Sequence, residues 1–193
     1  MNWFHHWFCR SARWRKTIEE RVPLVLAGVD LGPNILEVGP GPGVTTDYLR
    51  TRVQRMTAIE LDPHLGQSLR ARLQGGNVEV VTGDATAMPF PDAEFSGAVS
   101  FTMLHHVPSA KLQDQLLREV HRVLKPGGIF AGSDSLQRLF LRVIHIGDTL
   151  VPVIPETFGK RLEAAGFQVL GIEKDSRAFR FRAQRPVLPL PSH

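Results

Sequence analysis

The chain has 193 residues, 42% of them hydrophobic and 22% charged, with 17 glycines and 14 prolines, which is the composition of one globular domain and not of a disordered or fibrous chain. Its single cysteine, Cys9, excludes an internal disulfide framework and a zinc ribbon, so a reducing cytoplasm is the expected setting. The formal charge of +4 is unevenly placed: residues 1–21 carry +3, residues 174–193 carry +4 and the body between them −3, which argues against a nucleic-acid partner bound across a basic folded surface.

Residues 1–33 read as an aromatic and basic helical segment. All three tryptophans, Trp3, Trp7 and Trp14, fall there, and Trp3, Phe4, Trp7 and Phe8 repeat at helical spacing. Three roles compete for it: packing onto the core, a lid over a ligand crevice, and an interfacial helix with Arg10, Arg13 and Arg15 near lipid headgroups. The last would give peripheral membrane contact. No spanning segment is expected, because the longest uncharged stretch of the body, 95–110, holds two histidines and Pro108 and is shorter than the roughly 20 apolar residues a spanning helix needs. The start lacks a basic region ahead of its apolar run and a small-residue cleavage pattern, so no secretory signal is expected.

From residue 34 short apolar runs alternate with amphipathic segments. Residues 34–38 read as a buried strand ending at a glycine turn, 44–53 as a helix and 56–60 as a second strand. Pro63 opens the next helix, Leu65, Leu69 and Leu73 give it an apolar face, and Gly75-Gly76 ends it. Strands follow at 78–81 and 95–101. The apolar residues Leu112, Leu116, Leu117, Val120 and Val123 mark a helix over 111–124, closed by Lys125-Pro126-Gly127-Gly128. A strand at 129–133, a helix at 158–165 and two strands at 167–172 and 178–182 complete the pattern, with a loose tail over 184–193. The alternation predicts an α/β, doubly wound, mostly parallel seven-stranded sheet with helices on both faces and an antiparallel hairpin at one edge.

Where the first strand meets the first helix stands Glu37-Val38-Gly39-Pro40-Gly41-Pro42-Gly43. Glycines there let the backbone turn sharply and approach a ligand with no side chain in the way. A dinucleotide fingerprint would place its third glycine at position 44, which is Val44, and two prolines remove backbone donors a pyrophosphate would use, so a ligand without phosphates fits better. Glu60 ends the second strand where a carboxylate accepts hydrogen bonds from both hydroxyls of a ribose. Asp84, after the third strand, can accept from an exocyclic amine such as that of adenine. All three features sit at the carboxyl ends of adjoining strands and face one crevice.

In these residues the chain resembles the class I S-adenosylmethionine-dependent methyltransferases, in particular the methyltransferase type 11 group with a core like that of the ubiquinone and menaquinone methyltransferases. The carriers are ILEVGPGPG at 35–43, AIELDP at 58–63, GDATAMPFPDAEF at 83–95, SFTMLHHV at 100–107 and LREVHRVLKPGGIF at 117–130. The resemblance covers 34–134 strongly and runs more weakly to 183, giving a methyltransferase domain at 34–183. It implies a Rossmann-like fold and S-adenosyl-L-methionine as cofactor. Gly39, Gly41 and Gly43 would lie against the methionine part, with Glu37 in the same motif. Glu60 would hold the ribose, Leu61 would pack beside the adenine, and Asp84 with the Ala85 backbone would read the adenine edge. Ser100 and Phe101 would border the methionyl amino group. One departure stands out: the group often has Asp after the Phe that opens the fourth strand, and here Phe95 is followed by Ser96.

A sulfonium already activates its methyl group, so the expected reaction is in-line displacement onto a small-molecule or lipid-like acceptor, with no metal and no covalent nucleophile. Where the acceptor is a hydroxyl or a protonated amine a general base is needed, and His105 and His106 follow the fourth strand beside the crevice. His105 is placed nearer the transferred methyl; the competing reading has one of the pair capping or packing the next helix. Residues 134–155 are too long for an ordinary connection and are expected to line the acceptor pocket, with His145 and Asp148 as polar contacts. Two other functional readings compete: a catalytically silent cofactor-binding module on the same fold, and a nicotinamide-dependent oxidoreductase, disfavoured by Val44 and the turn prolines. The acceptor atom and the oligomeric state are not legible in the sequence.

Overall fold

A computed structural model describes residues 12–136 and 149–187. Trp3, Phe4, Trp7 and Phe8 lie outside the described residues, as do His145 and Asp148. Five helices and seven strands are described: α1 (Ala12–Leu26), β1 (Asn34–Val38), α2 (Val44–Leu49), β2 (Arg55–Glu60), α3 (Pro63–Leu73), β3 (Val78–Thr82), β4 (Phe95–Phe101), α4 (Ala110–Val123), β5 (Leu124–Ser135), α5 (Pro155–Ala164), β6 (Gln168–Lys174) and β7 (Ala178–Gln184). A single 3-10 turn, Leu104–His106, follows β4.

The strands form one sheet in the order β3-β2-β1-β4-β5-β7-β6. β1 to β5 run parallel, and β7 is antiparallel to both β5 and β6. The hairpin is therefore where the sequence places it, but its second strand is the inner one and β6 is left at the edge. The chain order reverses between β1 and β4, and in such sheets the crevice outside the carboxyl ends of those strands is the ligand position.

Side chains alternate across the strands and so build two cores. On one face Ile18, Val22 and Val25 of α1 with Val44 and Leu49 of α2 cover Ile35, Val99, Phe101 and Ala131. On the other, Leu116, Leu117, Val120 and Val123 of α4 and Phe158 and Leu162 of α5 cover Leu36, Val38, Ala98 and Phe130. Leu69 and Leu73 of α3 close the β3 edge over Val80. Burial on this scale contributes about 1.5–3 kcal/mol per large apolar side chain.

Several boundaries differ from the sequence pattern for identifiable reasons. α2 stops at Leu49, short of residue 53, because the Arg52 guanidinium and the Thr51 hydroxyl both donate to the Tyr48 carbonyl and satisfy the helix end early. β5 starts at Leu124, ahead of the expected Ile129, since Leu124 already pairs with Phe95 before a bulge restores register at Gly97↔Ile129. It also runs on to Ser135, so residues 134 and 135 belong to the sheet and not to the insertion after it. α5 begins at Pro155, whose missing N–H costs nothing in a first turn. At the other end of the chain Gln184 is still paired within β7, so the sheet reaches into the segment expected to be a loose tail. Among the described residues no helix is long and apolar enough to cross a membrane.

The basic C-terminal segment has a structural use that composition does not reveal. Arg182 donates to the carbonyls of Val25 and Leu24 at 2.9 and 3.1 Å, at the end of α1. Arg185 donates to those of His121, Arg122 and Leu124 at 3.1, 2.8 and 2.5 Å, at the end of α4. Both guanidinium groups thus meet the negative pole of a helix. Ser96 accepts from the Asn34 N–H at 2.9 Å and donates to the Asn34 carbonyl at 2.8 Å, pinning the start of β1 to β4.

Candidate functional site

The glycine turn after β1 is fixed at two points. Gly39 donates to the Ile59 carbonyl at 2.9 Å, and Gly41 donates to Glu60 Oε2 at 2.9 Å. Gly39 has φ +69°, and a Cβ there would stand 2.1 Å from Met103 Cγ, so the position accepts no side chain. Gly41, at φ +54°, would direct a Cβ into open space, leaving its backbone open to a ligand. Gly43 is the N-cap of α2.

Glu60 is 8% exposed at the end of β2, and its second oxygen accepts the Asp62 N–H at 3.0 Å. Burial raises its pKa, against the pull of the N–H groups of Asp62 and Gly41. Glu37, one strand over, is 2% exposed and accepts the Thr46 hydroxyl at 2.6 Å. Burial pushes it up to about 8, opposed by that hydroxyl and reinforced by the charges of Glu60 and Asp47. At neutral pH the Glu37 carboxyl is therefore largely protonated in the absence of a cationic partner.

β3 delivers Asp84 to the same end of the sheet, with the Gly83 N–H bonded to the Glu60 carbonyl at 2.9 Å. Asp84 is exposed; one of its oxygens accepts the Thr86 N–H at 2.8 Å and closes a turn. Ala85 beside it packs partly on the core. Leu61 is 66% exposed at the rim. Ser100 is buried on the α4 side of β4, and its hydroxyl has no hydrogen-bond partner among the described residues. Phe101 points to the opposite face, into the core under α1.

The chain leaves β4 under strain. Thr102 has φ +52°, a conformation β-branched residues avoid, and is held in it by its N–H on the Ser133 carbonyl at 2.8 Å. This brings Met103 onto Gly39 and starts the Leu104–His106 turn. His105 is 3% exposed; its ring Nδ1 pairs with Asp134 Oδ1, and its N–H donates to Asp134 Oδ2 at 3.1 Å. His106 is half-buried, with its ring 4.3 Å from that of His105. The His105 carbonyl accepts the Val151 N–H at 2.8 Å, while Gln113 donates to the carbonyls of Leu104 and Val151 at 3.0 and 2.9 Å. His105 thus joins the end of β5 to Val151, ahead of α5.

Glu37, Gly39, Gly41, Gly43, Glu60, Asp84 and Ala85 accordingly gather around the carboxyl ends of β1, β2 and β3, and Ser100 and His105 around that of β4. Asp134, the partner of His105, is a site residue that the sequence pattern does not single out. Its one signal there is an acid at the end of a strand next to the switch point.

The chain is similar to known proteins. A model of the family described as Methyltransferase domain matches residues 36–132. A protein of Synechocystis sp. named as an uncharacterized methyltransferase is 32% identical over 167 residues, covering 79% of this chain and 76% of the relative. The fatty-acid O-methyltransferase of Mycolicibacterium smegmatis is 38% identical over 109 residues, covering 55% of this chain and 39% of that enzyme. Proteins of Thermococcus onnurineus and Methanosarcina barkeri named "Probable ribosomal RNA small subunit methyltransferase A" match at 45% and 35% identity. The chain spans only 26% and 33% of their length. Among solved structures, a Pyrococcus horikoshii protein superposes with a TM-score of 0.76 at 19% identity, over 91% of this chain and 93% of that one, and so shares its fold.

Proposed function

This chain belongs to the methyltransferase-domain family, and on that premise we propose that it moves a methyl group from S-adenosylmethionine to a small-molecule or lipid-like acceptor by in-line displacement. The observation that carries the reading is the glycine turn held open by Glu60, with the unhindered Gly41 backbone beside it. When bound, the cofactor supplies a methyl group already activated by its sulfonium.

The residues present fit that cofactor. Each Glu60 oxygen takes one backbone N–H and keeps lone pairs for a ribose hydroxyl. Asp84 keeps one oxygen outside its own turn for an amine. The orphaned Ser100 hydroxyl and Glu37, which gives up its proton when a cation is beside it, are buried polar groups available to a cationic amino end. The chain's own contribution to the reaction is to orient the acceptor and exclude water, which can lower a barrier by about 7–11 kcal/mol. For a hydroxyl or ammonium acceptor, the proton goes to the His105–His106 pair, with Asp134 fixing the His105 ring.

The −3 body favours an uncharged or lipid-like acceptor over a polyphosphate, and one relative is named for fatty acids. The test is transfer from methyl-labelled cofactor to a fatty acid, a sterol and small-subunit ribosomal RNA presented in parallel. Label in the organic-extractable products is expected. Label in the RNA instead would overturn the acceptor assignment, and a protein that binds cofactor yet labels no acceptor would be the silent module.

A further inference from the structure

The segment between β3 and β4 carries Asp84 but has no helix or strand of its own, and Pro89 and Pro91 remove two of its N–H groups. Its internal ties are few: the Ala87 N–H on the Asp84 carbonyl and the Thr86 N–H on the Asp84 side chain. Met88 is buried in the core and Ala85 and Phe90 pack against that core; the polar groups of the segment's backbone are held by one edge of α4. Gln115, Glu119 and Arg122 recur at spacings of four and three and so share a helix face, beside the face that buries Leu116, Leu117, Val120 and Val123.

Each of the three reaches the segment's backbone. Gln115 donates to the Thr86 carbonyl at 2.9 Å. Glu119 accepts the Met88 N–H at 2.7 Å. Arg122 donates to the carbonyls of Phe90 and Met88 at 2.8 and 3.1 Å and to the Asp92 carboxylate at 2.8 Å. A two-pronged pairing of Arg122 with Glu119, both contacts 2.8 Å, locks the guanidinium plane in place. The pair is partly exposed, so its use lies in geometry more than in stability.

We propose that Gln115, Glu119 and Arg122 are positioning residues for base recognition: they hold the 84–92 segment so that Asp84 meets the exocyclic amine of the cofactor's adenine. This rests on the cofactor reading above. Discrimination among bases is then set from α4, by residues that touch no ligand.

The test compares binding of S-adenosylhomocysteine with that of S-inosylhomocysteine, which carries an oxygen in place of the amine. Wild type is expected to prefer the adenine form. Arg122→Ala is expected to cut that preference by roughly tenfold by freeing the segment. Arg122→Lys keeps the charge but loses the fork, and should restore little of it. Gln115→Ala, which leaves the Arg122 network intact, should give a smaller loss in a stably folded protein. An unchanged preference in Gln115→Ala and Arg122→Lys, with only the melting temperature lowered, would overturn the positioning role while leaving the cofactor reading intact. Wild type that binds neither compound would overturn both.

Discussion

Glu37→Gln is expected to make the cofactor-free protein more stable at pH 8 and to remove most of the fall in stability that wild type shows between pH 5 and 8. The folded Glu37 is pushed up to about 8, against an ordinary value of 4.5. Between those values the folded chain holds a proton that the unfolded chain has released. Stability from this group is therefore fully present below pH 4.5 and is lost as pH rises through 8, at up to about 1.4 kcal/mol per pH unit. Glu60, also raised by burial, adds a slope of the same sign. The charged neighbours of Glu37 are themselves acids, Glu60 and Asp47, and both favour the protonated form. Gln keeps an acceptor for the Thr46 hydroxyl and never ionises. The same substitution should weaken cofactor binding by roughly tenfold to a hundredfold, since it removes a carboxylate available to a cationic amino end. Urea unfolding at pH 5, 6.5 and 8 checks the first half; an equally steep slope in the variant would place the titrating group elsewhere.

Asp134→Ala is expected to cost about 3–5 kcal/mol of folding stability. Asp134 is fully buried and accepts from the His105 N–H, the His105 ring and the Ser135 N–H. Alanine leaves all three without their acceptor, and buried donors lose the full cost of desolvation. Net stabilities of domains are only about 5–15 kcal/mol, so the loss takes a large share. Asp134→Asn, which keeps an acceptor but not the charge, should cost less. A loss below about 1 kcal/mol in Asp134→Ala would mean that the His105 turn is held by the Val151 and Gln113 contacts alone.

The features legible in the sequence are those carried by local pattern. The strand and helix alternation, the glycine turn and the acids at the ends of β2 and β3 depend on residues within a few positions of one another, and each occupies the sheet end that its spacing implies. What could not be read depends on register across the sheet. Asp134 reads as the first residue of the insertion after the 129–133 strand until β5 is seen to run through it, and its partner lies 29 positions away. The arginines at 182 and 185 read as excess basic charge, yet they bond to helix-end carbonyls as many as 158 positions earlier. The early start of β5 at a Lys-Pro-Gly-Gly sequence is likewise a pairing event, fixed by Phe95 and not by propensity. Ser96 shows the converse: an ordinary serine after Phe95 proves to be a two-bond clamp made by its hydroxyl.

That the crevice at the ends of β1, β2 and β3 takes S-adenosylmethionine is tested most directly by calorimetric titration with S-adenosylhomocysteine and with NAD, using Asp84→Ala beside the wild type. Binding of S-adenosylhomocysteine at one site per chain, weakened in Asp84→Ala, with no heat from NAD, is the predicted result. Binding of NAD without S-adenosylhomocysteine, or an affinity indifferent to Asp84, would contradict it.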